Sequence, residues 1–377
     1  WFLRKRLKAS AGETRHWLLV YGHPDSTSDG LDAYFGDLMV TVSELGRMLH
    51  TDCSYHLACK LTRDGRTASL HAWGNIFFAI IAVFAKWRPS AKGQVLSEYG
   101  WLIERAAAFE NGGGGPVMNK WQAHCQSRWV KQEKPSRVFW PWENHGWERE
   151  FCKLAHQRGV ETFGFQHTAI GPYHFNYAPH SNVDPSVSLP GQIICNGPAC
   201  LKELVDWDVP GNKLVIGGSF RVIIEPSDKY DEKGPVFIPL SADQNLARLQ
   251  LSASQRISDA GIKVLVKEHP MYPLEFEEGA NLKRSNIPLR HQSGVSAVIY
   301  SSGFSGVEAI LSGLPAFRLV ADDRISIDVL PKKLKSLKIE IDDLPQALRQ
   351  SLPMTDIDVE EIFSPVNKDL WKSLARP

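Results

Sequence analysis

The chain has 377 residues, a length that favours two domains of ordinary size. It is 43% hydrophobic and 23% charged, which is typical of globular proteins that bury large cores. The formal net charge of +1 excludes the overall basic field of many nucleic-acid-binding proteins. We therefore expect no nucleic-acid partner, although a local basic patch stays open.

Cysteine and histidine spacing argues against a metal site. The six cysteines form no CxxC pair, and the thirteen histidines form no HExxH motif. Scattered cysteines also indicate a reducing compartment. Because no signal-peptide pattern is visible either, we expect a cytoplasmic protein. Association with the inner face of the cytoplasmic membrane stays open as an alternative.

The elements predicted in the first half begin with a strand over residues 16–24. The longest apolar run, residues 76–85, is about half as long as a bilayer-spanning helix requires. It predicts a buried helix, and a membrane-facing or lipid-acceptor surface is the alternative. Residues 110–115 predict a flexible loop. Then follow a strand (136–143), a helix (147–159), a strand (160–167), a long loop (173–190), a strand (192–197), a helix (198–207), and a strand with its turn (213–221).

The second half alternates strands and helices more clearly. The predicted elements are a strand (235–241), a helix (245–261), a strand (262–270), a candidate strand (287–291), a strand (296–302), a helix (306–313) and a strand (315–320). These strands lack the period-two alternation of half-exposed sheets, which indicates parallel sheets covered on both faces. The sequence therefore predicts an α/β fold with two Rossmann-like domains. Their predicted bounds are 1–222 and 223–350, followed by a helical segment at 351–377 that packs back on the first domain.

A serine- and glycine-rich stretch lies between a predicted strand and a predicted helix. Ser301, Ser302, Gly303 and Ser305 could bind a phosphate, because a helix N-terminus presents unpaired N–H groups and glycine permits close approach. An ordinary helix cap with turn residues is the alternative. Glu308, one turn into the helix, either accepts from a ribose hydroxyl or faces solvent.

Other strand ends of the second half carry candidate nucleotide contacts. His269 lies at the end of its strand between Lys267 and Pro270, and it could donate to a phosphate or a leaving oxygen. A purely structural histidine is the alternative. Ser241 lies in another strand-to-helix loop, and Arg221 lies near the predicted domain boundary, where it could meet a phosphate.

In the first domain, Glu143 and His145 follow a predicted strand. Tryptophan neighbours could raise the pKa of Glu143 and suit it to general-base or nucleophilic work, or Glu143 could simply cap the next helix. Gln166, His167 and Thr168 end the next strand. They could contact the acceptor or the sugar, or they are ordinary loop residues.

A carboxylate-rich turn follows the first predicted strand. Asp25, Asp29 and Asp37 could each act as a base. Solvated turn carboxylates are the alternative reading of the same residues.

The stretch from Gln192 to Phe317 resembles the two-domain GT-B glycosyltransferases. The His-Pro motif of His269 and Pro270, followed by the Ser-Ser motif of Ser301 and Ser302, is similar to bacterial sialyltransferases, Kdo transferases and teichoic-acid glycerophosphotransferases. Those enzymes use CMP- or CDP-activated donors. The resemblance implies that the two motifs hold a cytidine nucleotide and its phosphate.

The same resemblance implies a catalytic carboxylate in the first domain, with Glu143 as its counterpart. The sequence departs from a paired acidic motif there, because Asn144 follows. The implied activity is transfer of Kdo or another nonulosonic acid from a CMP-sugar to a glycan or lipid-linked acceptor in surface polysaccharide assembly, such as O-antigen, capsule or lipopolysaccharide. It requires neither cofactor nor metal, and peripheral membrane association stays open.

Several alternatives stay open at this point. A GT-B enzyme could use a UDP- or GDP-sugar, or the chain could be a CDP-glycerol-type glycerophosphotransferase. A non-hydrolysing sugar-nucleotide epimerase shares the same architecture. A non-catalytic sugar-nucleotide-binding subunit would keep the serine loop and need no carboxylate.

Overall fold

Two parallel β-sheets form the framework of the protein in this computed structural model. The structure describes residues 7–8, 15–84, 100–111, 114–222, 229–269, 272–320, 327–355 and 357–376. The two sheets are separate in sequence, since the first ends before residue 217 and the second begins at residue 236.

The first sheet has seven parallel strands in the order β3-β2-β1-β4-β5-β6-β7. The strands are β1 (His16–Val20), β2 (Leu45–Leu49), β3 (Thr67–Ser69), β4 (Arg137–Pro141), β5 (Glu161–Gln166), β6 (Gln192–Cys195) and β7 (Leu214–Ile216). The strand order reverses direction beside β1, where His16 lies opposite Leu45 on one side and Arg137 on the other. In open parallel sheets such a reversal creates a crevice at the carboxyl ends of the strands.

The second sheet has six parallel strands in the order β10-β9-β8-β11-β12-β13. They are β8 (Val236–Pro239), β9 (Val264–Lys267), β10 (Leu282–Arg284), β11 (Ala297–Tyr300), β12 (Ala316–Leu319) and β13 (Leu337–Ile339). Here the order reverses between β8 and β11, so a second crevice lies at the carboxyl ends of these two strands.

Helices connect the strands. They are α1 (Leu38–Thr41), α2 (Tyr55–Leu61), α3 (Ile76–Ala82), α4 (Gly100–Asn111), α5 (Gly114–Glu133), α6 (Gly146–Arg158), α7 (Pro185–Ser188), α8 (Pro198–Asp206), α9 (Gln244–Asp259), α10 (Ser305–Leu311), α11 (Leu344–Arg349), α12 (Val359–Ile362) and α13 (Lys368–Ala375). Their ends follow local chemistry. Asp243 caps α9 by accepting from the backbone N–H groups of Asn245 and Leu246. Gly159 ends α6 in the left-handed conformation, at φ 67°.

Each sheet buries both of its faces. In β1, Trp17 and Leu19 belong to one buried cluster, and Leu18 and Val20 belong to another on the opposite face. This explains why the strands read as continuous apolar runs without alternation. The predicted parallel α/β architecture is confirmed.

Some local predictions are wrong. The candidate strand at 287–291 is a 3-10 helix, Leu289–His291, which Pro288 precedes, and the strand β10 lies earlier in the chain. The loop predicted at 173–190 contains two 3-10 turns and the short helix α7. Of the loop predicted at 110–115, residues 112–113 lie outside the described residues, and helices α4 and α5 flank them.

The buried helix predicted at 76–85 is also corrected. The helix forms as α3, but only part of its surface is covered. Phe78 stacks on His124 of α5, and Ala82 is buried. Phe77 and Phe84, in contrast, are 74% and 78% exposed. Apolar composition predicted burial, but α5 covers only one side of the helix. Residue 85 lies outside the described residues.

The helix α13 packs on the first sheet, although it follows the second sheet in the chain. Trp371 is fully buried among Phe35, Phe139 and Phe165, and its indole N–H donates to the carbonyl of Gly217 at 2.9 Å. The chain therefore returns to the first sheet after completing the second. Among the helices that the structure describes, none combines the length and the apolar character required to cross a bilayer.

Candidate functional site

A cavity of about 360 Å³ lies between the two sheets. Loops and helices that follow the strands of both sheets supply its polar lining, which includes His167, Thr168, His174, Arg221, Arg290 and Glu308. The volume is within the range of small-molecule sites, and the position is where open α/β sheets bind ligands. Four of the residues predicted from the sequence, His167, Thr168, Arg221 and Glu308, thus lie around one cavity.

Glu143 contacts two histidines beside this cavity. Its Oε2 lies 2.6 Å from His145 Nε2, and its Oε1 lies 3.6 Å from Nε2 of His167. Glu143 follows β4 and His167 follows β5, and these two strands are neighbours in the sheet. Parallel pairing therefore brings the two predicted strand ends together.

The pKa values of this group differ from the expectation. Burial raises the pKa of Glu143, but the hydrogen bond with His145 and the proximity of His167 outweigh it, so the net pKa is lowered. The predicted raised pKa is wrong, because histidines rather than tryptophans decide the environment. The hydrogen bond with Glu143 raises the pKa of His145. Burial lowers the pKa of His167 to about 4, which leaves its imidazole neutral near pH 7.

A second carboxylate, Glu148, lies buried directly beneath this turn. Its Oε2 accepts from Trp140 Nε1 at 3.0 Å and from the backbone N–H groups of Glu143 and Asn144 at 3.1 and 3.0 Å. Burial raises the pKa of Glu148 to about 7, against the lowering effect of the Trp140 bond. Sequence reasoning missed this residue. An available signal was an acid in the first turn of α6, where side chains often bond back to preceding N–H groups.

Asparagines fix the same turn from the other side. Asn144 adopts a left-handed conformation, at φ 56°, and its amide donates to Asn176 O and Asn182 Oδ1 at 2.6 and 2.9 Å. Asn176 in turn donates to the Glu143 carbonyl at 2.7 Å. Asparagine tolerates this backbone conformation better than most residues. The turn that carries Glu143 is therefore held by both side-chain and backbone bonds.

The structure corrects the acceptor role expected for Gln166. Its side chain is fully buried, its amide donates to the Thr168 carbonyl, and its oxygen lies 2.7 Å from Cys200 Sγ. These contacts use the side chain to shape the loop after β5. His167 and Thr168 from the same loop reach the cavity.

In the second sheet, Ser301 points into the protein. It is fully buried, and its hydroxyl donates to the Leu319 carbonyl on β12 at 2.8 Å. This hydroxyl ties two strands together, so the phosphate contact expected of Ser301 is not supported by its placement. The turn alternative fits this one residue.

The rest of the serine loop is more accessible. The hydroxyl of Ser302 lies 2.9 Å from that of Ser241, so the two predicted residues meet across the ends of β8 and β11. Gly303 has a φ of 107°, which side-chain-bearing residues rarely adopt. Ser305 opens α10 and is half-buried. Their contact with a phosphate stays a prediction.

Lys267 and His269 lie at the end of β9. The His269 ring stacks on Tyr272 at 5.5 Å, and burial lowers its pKa. Pro270 lies outside the described residues. Neither Lys267, His269 nor the serines of the loop are among the lining residues described for the cavity, which Phe304 and Glu308 reach instead. Burial raises the pKa of Glu308, opposed by the nearby Lys229 and Arg290.

The carboxylates after β1 occupy separate positions. Asp25 lies 3.8 Å from His23 and is largely exposed, Asp29 is exposed, and Asp37 lies 3.8 Å from Lys368. These placements fit solvated turn carboxylates. Among the residues that the structure describes, no three His, Cys, Asp or Glu side chains group to hold a metal ion.

Comparison with known proteins gives a result at the level of fold. No family model and no curated protein matches the sequence. The calicheamicin glycosyltransferase CalG4 is similar in structure, with a TM-score of 0.50 and 11% identity over 89% of this chain and 88% of its own. UDP-GlcNAc 2-epimerase from Neisseria meningitidis, bound to UDP-GlcNAc, also has a TM-score of 0.50, with 10% identity over 96% and 94% of the two chains.

The chain has the GT-B fold. Two parallel sheets facing a cleft and the likeness to these structures establish the fold class that the sequence predicted. Because that fold serves more than one chemistry, the reaction has to be argued from the cavity itself.

Proposed function

We propose that the protein is a glycosyltransferase that moves a sugar from a nucleotide-activated donor to a hydroxyl group of a glycan or lipid-linked acceptor. The observation that carries the proposal is the placement of His167, which lines the cavity between the sheets and whose Nε2 lies 3.6 Å from Glu143 Oε1. The GT-B fold, which the chain shares with a glycosyltransferase structure, supports the same class.

His167 is the proposed base. Its lowered pKa leaves a neutral ring that can accept the proton of an acceptor hydroxyl. The accepting atom is Nε2, because Nδ1 of the same ring is buried. The ring then becomes positive, and the ionised carboxylate of Glu143, which lies 3.6 Å from Nε2, stabilises that charge. His145 holds the other oxygen of Glu143 and fixes its orientation. Direct attack by Glu143 on the anomeric carbon is the retaining alternative.

Cationic side chains line the same cavity as this base. Arg221 lies 5.3 Å over the Tyr34 ring, and both Arg221 and Arg290 line the cavity. A departing nucleotide carries negative charge on its phosphate, which guanidinium groups bind well. Ser302 and His269 are the proposed nucleotide contacts beyond the cavity. No cofactor takes part in the proposal.

The donor is the finer part of the proposal. The His-Pro and Ser-Ser motifs support a CMP-activated acid sugar such as Kdo, and an acid sugar would also place a carboxylate near the two arginines. The UDP-GlcNAc-bound epimerase of the same fold supports a UDP-sugar instead. Thermal shift with CMP, CDP, UDP and GDP separates these donors, since a ligand at about 100 times its dissociation constant stabilises by about 2.7 kcal/mol.

The catalytic proposal is tested with Glu143→Gln, which preserves size and removes the charge beside His167 Nε2. We expect turnover of the donor identified by thermal shift to fall about 100-fold or more, with nucleotide affinity unchanged. Glu150→Gln, an exposed glutamate on α6, is the matched control and should keep full activity. Unchanged turnover in Glu143→Gln would refute the role of this carboxylate.

Acceptor dependence distinguishes the proposed transferase from an epimerase. A transferase releases nucleotide in proportion to the acceptor supplied, whereas an epimerase converts UDP-GlcNAc without any acceptor. Conversion of UDP-GlcNAc alone would replace the proposal with epimerisation. Failure of all four nucleotides to stabilise the protein would count against both reactions.

A further inference from the structure

The ring of Tyr34 contacts both His167, the proposed base, and Arg221, a proposed phosphate ligand. The Arg221 guanidinium lies over the face of the ring, 5.3 Å from its centroid. The His167 imidazole meets the same ring edge to face, with centroids 5.2 Å apart and planes at 79°. Tyr34 itself is not among the residues that line the cavity as the structure describes it. It therefore contacts both groups without forming part of the described cavity wall.

The Arg221 side chain depends on this ring for its orientation. Over the ranges that the structure describes, its guanidinium forms no hydrogen bond or ion pair with another protein group, and the residue is exposed. A long exposed side chain without such partners populates many rotamers. A guanidinium is attracted to the face of an aromatic ring, so Tyr34 restricts Arg221 to the position in which it lines the cavity.

The same ring contributes to the burial of His167. That burial lowers the pKa of His167 to about 4; the nearby Glu143 opposes the shift, and Arg221 and His145 add to it. Burial also raises the pKa of Tyr34, so its phenol stays neutral near pH 7. The other titratable groups that line the cavity with His167 are His174, Arg290 and Glu308. Tyr34 thus excludes water from the imidazole without adding a charge.

A tight turn fixes the position of Tyr34. Asp32 and Gly36 exchange backbone hydrogen bonds in both directions at 2.8 Å, with Tyr34 between them in the chain. The Asp32 carboxylate accepts from the Tyr34 backbone N–H at 2.9 Å and lies 3.5 Å from the fully buried Arg47. Phe220 packs so closely on Gly36 that a Cβ there would lie 2.9 Å from its ring. The turn is therefore held on both sides.

We propose that Tyr34 is a positioning residue, which sets the His167 imidazole and the Arg221 guanidinium in one arrangement around the substrate. The inference rests on the proposed function, because it concerns two groups that were assigned roles there. It also gives the buried pair of Arg47 and Asp32 a purpose, since that pair fixes the turn that carries Tyr34.

Titration of His167 tests the role of the ring without any need for turnover. The histidine ring protons of the full chain are followed by NMR across the acid range, and His167→Gln assigns the signal among the thirteen histidines. In Tyr34→Leu, water reaches the imidazole and Arg221 is no longer held beside it. The pKa of His167 should therefore rise from about 4 towards its ordinary value of 6.5. Tyr34→Phe keeps the ring and should restore the low value.

Nucleotide binding and turnover test the contact with Arg221 and the alignment of the two groups. UDP and CMP are titrated calorimetrically. Whichever binds the unaltered protein should bind Tyr34→Leu about two- to fivefold more weakly, which is the scale of an exposed cation–π contact. Acceptor-dependent turnover should fall about tenfold or more, because displaced groups lose their alignment. The acid limb of kcat/KM should move to higher pH, since it reports the base of the free protein.

A matched control separates Tyr34 from tyrosine rings in general. Tyr55→Leu removes a ring that is 38% exposed on α2, and it should leave the His167 titration, the nucleotide affinity and the turnover unchanged. Thermal unfolding temperatures close to that of the unaltered protein establish that the Tyr34 and Tyr55 variants are folded.

Three outcomes would overturn the inference. The first is an unchanged pKa of His167 in Tyr34→Leu. The second is an equal rise in Tyr34→Phe, which would assign the effect to the hydroxyl. The third is unchanged affinity of Tyr34→Leu for a nucleotide that the unaltered protein binds. If neither nucleotide binds and no acceptor supports turnover, the proposed function fails, and the His167 titration alone decides the role of Tyr34.

Discussion

Glu148 makes the stability of the folded protein depend on pH in a way that one substitution isolates. Its carboxylate is buried beneath the Glu143 turn, and its pKa rises from 4.5 to about 7. Between these values the folded protein keeps a proton that the unfolded chain releases. The free energy of unfolding therefore falls as the pH rises through this window, and above it the loss is complete.

The size of this stability change follows from the same pKa shift. A pKa raised from 4.5 to about 7 corresponds to about 3 kcal/mol, at ~1.36 kcal/mol per pKa unit. Glu148→Gln removes the titration while its amide oxygen can still accept from Trp140, Glu143 and Asn144. We expect the free energy of unfolding of the variant, relative to the unaltered protein, to rise by about 3 kcal/mol between pH about 4.5 and about 8.

Urea unfolding followed by tryptophan fluorescence across this pH range measures the difference. Glu150→Gln on the same helix is exposed and should run parallel to the unaltered protein at every pH. If Glu148→Gln also runs parallel, the carboxylate does not titrate with a raised pKa, and the reasoning from its burial is refuted.

Two further predictions concern buried contacts. Trp371→Ala should lower the free energy of unfolding by about 3–5 kcal/mol, because the substitution removes a fully buried ring and its hydrogen bond to Gly217. Urea unfolding measures this difference, and a loss under about 1 kcal/mol would contradict the packing role of the ring. Ser301→Ala should lower it by about 1–3 kcal/mol and leave nucleotide affinity unchanged, whereas Ser302→Ala should weaken nucleotide binding by a similar amount. Calorimetric titration separates the two serines, and equal effects on affinity would return Ser301 to the phosphate site.

In the second sheet, the sequence predicted the central strands well and the edge strands poorly. Central strands such as β8 and β11 are buried on both faces, so they appear as apolar runs that glycine, proline or serine interrupts. The edge strands β10 and β13 read Leu-Lys-Arg and Leu-Lys-Ile, because an edge faces water on one side. Charged residues of this kind carry no apolar signal for a strand.

The strand β2 was hidden for a different reason. It contains Arg47, which is fully buried and lies within 3.5 Å of Asp32 and Asp64. An arginine in a buried strand looks incompatible with a core until its partners are known, and both partners lie outside the strand, 15 and 17 residues away in the chain. The sequence alone gives no means of pairing them.

The candidate site was predictable in position but not in detail. Strand ends marked Glu143, His145 and His167, because parallel strands bring their carboxyl ends to one edge. Side-chain direction could not be read in the same way, so Gln166 and Ser301 were expected at a ligand and instead bond within the protein. The direction of the Glu143 pKa shift depends on two histidines, and only the structure gives their distances from the carboxylate.

Because α13 packs on the first sheet, the core of that sheet can be completed only after the ribosome has synthesised the second sheet. Domains usually fold as units during synthesis, with the N-terminal one first. Here the ring of Trp371 fills a gap between Phe35, Phe139 and Phe165, and it is made only after all of the second sheet. The first sheet therefore emerges from the ribosome early, but its core lacks the Trp371 ring until the second sheet has been synthesised.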